Sequence, residues 1–283
     1  MIRIITDSMS DYLHAAHRDP DVRIALQPLR FGMTEYLDDG ISITQAEFYA
    51  RLRTATELPQ TSMVPEIAWK EALKAALSDP ADAALVIAGS SGLSGGYHSA
   101  VRAAAAMKEP GRIAVIDSLT ASCGEIMLID CAVRLRDAGA TLQQMAEALE
   151  DLKARQHLIG LADDLKYLVM GGRLSPLVGT VGSVLAIKPT LKLENGKIEK
   201  AGVVRGVKKG YAWYVEQVRK YPPDPAIPMY VGSADCPETA ALIRQLLLDA
   251  GLPLPEIRCA AIGCLIGTHV GPGLTLVCWA TQQ

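Results

Sequence analysis

Ala84-Leu85-Val86-Ile87-Ala88-Gly89-Ser90-Ser91-Gly92-Leu93-Ser94-Gly95-Gly96-Tyr97 is the stretch on which the fold turns. Its first five residues are a compact apolar run. Glycines and small polar residues follow at once, ahead of the helix-like stretch Ser99–Met107. The same succession occurs twice more. Ile2–Thr6 ends at Asp7-Ser8, and Arg112–Ile116 ends at Asp117-Ser118 before the helix-like Glu125–Asp137. Short β-rich runs alternating with helical patterns spell βαβ units and a parallel sheet buried on both faces. Ligands of such sheets bind beyond the carboxyl ends of the strands. Asp7-Ser8, Gly89–Gly96 and Asp117-Ser118 are therefore expected along one edge.

The second half has a different rhythm. His157–Ala162 reads as a strand, and Asp163-Asp164 can cap a short helix running to Met170. Leu185–Val204 alternates around Asn195-Gly196, the strongest short hairpin signal. Helices over Lys208–Lys220 and Glu238–Ala250, with strands at Met229–Gly232, Ile257–Ala261 and Leu274–Cys278, complete an α+β half. The helix Leu142–Arg155 and the change of pattern put a domain boundary near residue 156.

A chain of 283 residues has room for one large domain or two ordinary ones. Hydrophobic residues at 49% against 21% charged are a globular balance, and only 5% aromatic residues suits helices packed on sheets. A net charge of −3 gives no electrostatic reason to expect nucleic acid. The basic run Arg205–Lys209 is too small for a duplex, and no helix-turn-helix can be placed. The six cysteines form no C-x-x-C pair and sit in apolar segments, so they read as reduced core residues with no zinc site or other metal centre. The first residues read as a strand rather than a signal peptide, and apolar runs stop short of the ~20 residues that span a bilayer. A cytoplasmic location is expected.

The loop Gly89–Tyr97 is the densest small-residue run. Its glycines let backbone approach a ligand, its hydroxyls can donate to an anion, and a helix starting near Gly96 adds free N–H groups. Ser94 stands where an N-cap side chain is expected. A capped strand-to-helix turn would look the same. The loop lacks the Gly-Lys-Ser/Thr of a phosphate-binding loop, the dinucleotide fingerprint and the Gly-x-Ser-x-Gly elbow. Thr61-Ser62 is a second hydroxyl pair, placed before a helix that begins at Pro65 or Glu66, and is by itself a helix-entry segment. His269, beside Gly271-Pro272-Gly273, belongs at a surface or cleft, where imidazole can meet a carboxylate or phosphate. Arg173 after Gly171-Gly172 and Arg205 before Gly206 can reach an anion bidentately, or can be solvated charges at element ends.

In order, Ile5-Thr6-Asp7-Ser8, Thr61-Ser62, Ser90-Ser91-Gly92-Leu93-Ser94-Gly95, Leu165-Lys166-Tyr167-Leu168, Gly171-Gly172-Arg173, Val204-Arg205-Gly206 and Thr268-His269-Val270-Gly271-Pro272-Gly273 resemble the DegV family. These are the fatty-acid-binding B subunits of bacterial fatty-acid kinase. The resemblance runs from residue 2 to about 275. It implies two α/β domains: residues 1–155 a three-layer α/β/α unit on a parallel sheet, and residues 156–283 a two-layer unit on a mixed sheet, with a lipid tunnel between them. It also implies a carboxylate held by Thr61 and Ser94, with Ser62, Ser91 and Gly95 as neighbours and His269 nearby. Arg173 and Arg205 resemble the arginines that serve the kinase partner or the acyl phosphate. Two departures stand out: Met63-Val64 separate Thr61-Ser62 from Pro65, and Gly96 stands where the family has a threonine before Tyr97.

The implied protein is a lipid carrier, not an enzyme by itself, with no catalytic residue and no cofactor beyond its bound fatty acid, palmitate or oleate for example. An ATP-binding kinase subunit would phosphorylate the carboxylate to an acyl phosphate. No transmembrane segment is implied, and transient contact with a membrane surface is compatible with such a carrier. Burying a ~16-carbon chain at ~0.8 kcal/mol per CH₂ supplies ample gross affinity. The polar end then mainly fixes orientation, and hydroxyls and helix N–H groups offset the cost of burying a carboxylate. The competing expectation is a stand-alone hydrolase or phosphotransferase using Ser94 with His269.

Overall fold

The computed structural model describes residues 1–175 and 187–282. The chain enters on β1 (Ile2–Asp7), crosses to β2 (Arg23–Ala25) and then leaves that sheet for a hairpin, β3 (Pro28–Phe31) and β4 (Thr34–Leu37). Helix α1 (Gln45–Thr54) and the short strand β5 (Gln60–Thr61) follow. Helix α2 (Glu66–Ala76) leads into β6 (Ala83–Ala88), α3 (Gly96–Met107), β7 (Ile113–Asp117), α4 (Cys123–Asp137) and α5 (Leu142–Ala154). Four of these strands form a parallel sheet in the order β2-β1-β6-β7.

Alternation along the strands sends their side chains to two cores. Ile5, Val86 and Ala88 pack against Trp69 and Leu73 of α2 and Ala100 and Ala103 of α3. Ile4, Leu85 and Ile87 pack the other way, against Ile126 and Ile129 of α4 and Met145 and Leu149 of α5. The result is the three-layer α/β/α unit. Each apolar run read from the sequence lies in one of its strands, Arg112–Ile116 being shifted by one residue in β7.

The second half begins with β8 (Gln156–Leu161) and α6 (Lys166–Met170), then β9 (Ile187–Glu194) and β10 (Lys197–Arg205). Helix α7 (Val207–Lys220), β11 (Met229–Ser233), α8 (Pro237–Asp249), β12 (Ile257–Ala261), α9 (Cys264–Val270) and β13 (Thr275–Ala280) complete it. The strands form a mixed sheet ordered β10-β9-β8-β13-β11-β12, in which only β11 and β12 run parallel. The β9–β10 hairpin turns at Asn195-Gly196, with Glu194 opposite Lys197 and both turn residues at positive φ (50° and 77°). That is the twist-matched two-residue turn the Asn-Gly pair favours. Leu185 and Ala186, the first residues of the predicted alternation, lie outside the described residues.

Helices α7 and α8 cover one face of this sheet, where Tyr214, Val218, Ile243 and Leu247 meet Ile159, Val277 and Trp279. On the other face lies α4. Residues Cys123 to Ile129 are all buried, because α4 packs on the parallel sheet and also on Tyr230, Cys278 and Ala280 of the mixed one. The first two turns of α4 are buried all round, Glu125 included, as suits an element between two layers, and α4 is that shared layer.

A third element was not legible in the hydrophobic pattern. Strands β4, β3 and β5 form a small antiparallel sheet. Its Leu29 and Phe31 pack with Phe48 and Tyr49 of α1 and with Leu265 and Ile266 of α9. A helix from the second half is thus seated on a sheet from the first.

Candidate functional site

The three strand ends do share an edge. Asp7 at the end of β1 accepts the Gly89 N–H at 3.1 Å and the Met9 N–H at 2.8 Å. Asp117 at the end of β7 accepts the N–H groups of Ser91 and Leu119, each at 3.1 Å. Both carboxylates therefore shape the glycine-rich loop, and neither lines the cavity beyond it. Burial pushes the Asp7 carboxyl up to about 6, against the pull of its two N–H donors. Ser90 is engaged too: its hydroxyl donates to the Gly196 carbonyl at 2.7 Å, tying the loop to the β9–β10 hairpin. Gly92 permits this seating, since a Cβ there would lie 2.4 Å from the Gly196 oxygen.

Beyond the loop lies a cavity, with about 840 Å³ of non-atom space when its open mouth is included. Thr61, Ser62, Ser94, Arg173 and His269 all line it. Thr61 is held on β5 by pairing with Leu29 of β3. Its Oγ1 lies 2.8 Å from His269 Nε2, near the end of α9. Helix α3 starts at Gly96 as expected, but its N-cap is Gly95, and Ser94 accepts the Gly96 N–H at 3.3 Å from one position earlier. Arg173 Nε donates to the Leu93 carbonyl at 3.2 Å and Nη1 to Gly171 at 2.6 Å, joining the loop to the Gly171-Gly172 turn.

His269 is the electrostatic pivot. Burial first, and then the Arg173 charge, pull its imidazole down to about 4. It is neutral at neutral pH, so it presents one donor and one acceptor. Among the described residues its buried Nδ1 has no hydrogen-bond partner. Gly171 lies close against that atom, where a Cβ would approach to 2.5 Å. Three hydroxyls, a neutral imidazole and a guanidinium thus converge in one cavity, a donor set suited to an oxyanion.

One face of the mixed sheet supplies much of the apolar wall. Leu158, Leu191, Leu193, Ile198 and Leu276 line the cavity, and paired residues share a face: Gly160 with Leu191 and Leu276, Leu193 with Ile198. Gly160 makes room in the middle of this wall for the Leu276 side chain, which a Cβ there would meet at 2.9 Å.

The remaining expected residues sit elsewhere. Ser91 is half-buried and tied through its N–H to Asp117. Gly95 is exposed and abuts Met63, itself a lining residue. Arg205 is exposed at the far end of β10 from the hairpin turn and does not line the cavity. Two polar lining residues in loops had no signal in the sequence. Gln27, buried, donates from Nε2 to the Ser62 carbonyl at 3.3 Å. Ser122, also buried, holds a positive φ of 52°. Both are single polar residues in loops, where no periodicity marks them. Among the described residues no group of three or more His, Cys, Asp or Glu could hold a metal ion, and no helix is long and apolar enough to cross a membrane.

Over residues 1–282 the chain matches the family model described as uncharacterised proteins of the DegV family. A DegV domain-containing protein of Streptococcus pneumoniae is 32% identical over 275 residues, covering 96% of each chain. Among solved structures, a Thermus thermophilus DegV-family protein described by its fatty-acid binding has a TM-score of 0.87 at 29% identity, with 99% of both chains covered. The Fak B3 protein of S. pneumoniae fatty acid kinase, loaded with linoleic acid, shares the fold: TM-score 0.87 at 20% identity, over 100% of both chains.

Proposed function

The chain belongs to the DegV family, and from that footing we propose that it binds a long-chain fatty acid in the cavity lined by Thr61, Ser94 and His269. The observation that carries the reading is the composition of that single cavity: an apolar sheet face with a few convergent donors. The chain's buried CH₂ groups supply the affinity at ~0.8 kcal/mol each. Thr61 and Ser94 donate to the carboxylate, Ser62, Ser91 and Gly95 shape their surroundings, and Arg173 adds charge. The fatty-acid binding of the T. thermophilus relative supports this assignment.

Within the same proposal, the chain presents the bound carboxylate to an ATP-binding kinase subunit, which forms the acyl phosphate, and no activity is expected of the chain alone. The division of labour follows from the resemblance to fatty-acid kinase B subunits. Arg205, exposed and away from the cavity, is suited to the partner rather than the lipid. Arg205→Ala should leave fatty-acid affinity near the wild-type value and slow the partner reaction; lost lipid binding would make it a pocket residue instead. The hydrolase alternative gains nothing from the geometry, because the hydrogen-bond partner of His269 is Thr61, not Ser94.

Native mass spectrometry and lipid extraction of the purified protein test the reading. A co-purifying fatty acid is expected. A protein that emerges empty and cleaves esters would overturn it, and ATP-dependent acyl phosphate formation by the chain alone would overturn the assignment of that chemistry to a partner.

A further inference from the structure

Helix α9 carries His269, and its N-terminus has no cap of its own. The N-cap residue is Gly263, which has no side chain to offer the free N–H groups of the first turn. The acceptors come from the other half of the molecule. Asp38, 2% exposed and directly after β4, accepts the Leu265 N–H at 3.0 Å through Oδ2 and the Cys264 N–H at 3.3 Å through Oδ1. Asp11 accepts the Gly263 N–H at 2.9 Å. His14 stands 3.6 Å from Asp38. Gly263 is required for this approach, since a Cβ would fall 2.8 Å from the His14 ring and 2.9 Å from Asp11.

The other end of α9 returns to the same small sheet. His269 Nε2 meets Thr61 Oγ1 on β5, while Asp38 follows β4, and both strands pair with β3. The helix spans seven residues, roughly 10 Å at 1.5 Å per residue. Backbone bonds from the Gly267 N–H to the Gly263 carbonyl and from the Gly271 N–H to the Gly267 carbonyl tie its two ends and make it a stiff strut. A displacement at its capped end is therefore delivered to His269. We infer that Asp38 is a positioning residue for His269, registering α9 against the β4-β3-β5 sheet and so, on the reading above, setting the donor geometry around the fatty-acid carboxylate.

The test compares Asp38→Ala and Asp38→Asn with the wild type. Two readouts are needed: the NMR signals and titration of the His269 ring in ligand-free protein, and the affinity for a fluorescent long-chain fatty acid. A loss of stability alone leaves native-state ring signals in place, whereas a shifted helix moves them. Asp38→Ala should move the His269 signals and its titration, and weaken fatty-acid binding about five- to tenfold. Asp38→Asn, which keeps one acceptor oxygen, should fall between Ala and wild type. Unchanged His269 signals in Asp38→Ala would overturn the inference; if that variant does not fold, unchanged signals in Asp38→Asn would do so. Because the ring signals need no ligand, a wild-type protein that binds no fatty acid would sink the functional reading while leaving this one to be judged by itself.

Discussion

Thr61 and His269 are 208 positions apart in sequence and are joined by one 2.8 Å hydrogen bond. That bond defines the polar end of the cavity, and its members should dominate head-group recognition. Hydrogen bonds to a charged group contribute about 1.5–3 kcal/mol, so Thr61→Ala and Ser94→Ala should each weaken fatty-acid binding roughly tenfold or more by titration calorimetry. An unchanged affinity in the double variant would place the carboxylate elsewhere. His269 makes a separate, pH-dependent prediction. Its folded value, about 4, lies below the ordinary 6.5, so between those values the unfolded chain binds the extra proton. Its contribution to stability is present above about pH 6.5 and is lost as pH falls toward 4. Urea unfolding over that window should show His269→Gln losing less stability on acidification than the wild type, and parallel curves would refute it. The residue types at this site were readable from the sequence, since Thr61, Ser94, Arg173 and His269 stood out as hydroxyls, charge and imidazole beside turns. Gln27 and Asp38 were not, because nothing local distinguishes a buried loop amide or carboxylate from a solvated one.

At the scale of elements, the β9–β10 hairpin shows how a local signal acquires a distant role. Asn195 and Gly196 both take positive φ, which the Asn-Gly pair announces. The sequence does not reveal that the Gly196 carbonyl then accepts the Ser90 hydroxyl of the glycine-rich loop. A side chain at Gly196 would be strained at φ 77° and would meet Ser90 Oγ at 2.6 Å. Gly196→Ala should cost about 1–2 kcal/mol by urea unfolding, and a smaller loss in the Ser90→Ala background would show that the clash is with that hydroxyl. The glycine-rich loop itself changes meaning in the structure. Asp7, Asp117 and Ser90, which its neighbourhood offered as ligand groups, hold its backbone in place, while Ser94 remains turned to the cavity.

At the scale of the molecule, the two sheets are coupled through α4. Asp130 on that helix accepts His17 at 2.7 Å, Tyr230 at 2.6 Å and Arg258 at 2.8 Å through one carboxylate oxygen. The first partner precedes β2 and the other two lie on β11 and β12, so this oxygen bridges both halves. With a core shared across α4, the protein should unfold as one cooperative unit. Asp130→Ala should lower stability by about 1–3 kcal/mol, since the buried Tyr230 hydroxyl and the half-buried His17 and Arg258 lose their acceptor. Hydrogen-exchange mass spectrometry in rising urea should then separate the opening of the mixed sheet from that of the parallel sheet. Simultaneous opening in the variant would show that apolar packing on α4 alone holds the halves together.

The alternation of strands and helices, the hairpin at Asn195-Gly196 and the loops at the strand ends were determined by the sequence itself. Such features depend on interactions within about ten residues: a period of 2 or 3.6, a cap, a turn that needs positive φ. The β4-β3-β5 sheet, the capping of α9 by Asp11 and Asp38, and the separation of Arg205 from the cavity were decided only by the tertiary structure. Its short strands bury too few alternating residues to carry a pattern. The decisive contacts also join positions up to 252 apart, as between Asp11 and Gly263. Periodicity tells each segment which face to bury, but the identity of the face it meets is set when the segments pack, and the cavity is made by that meeting.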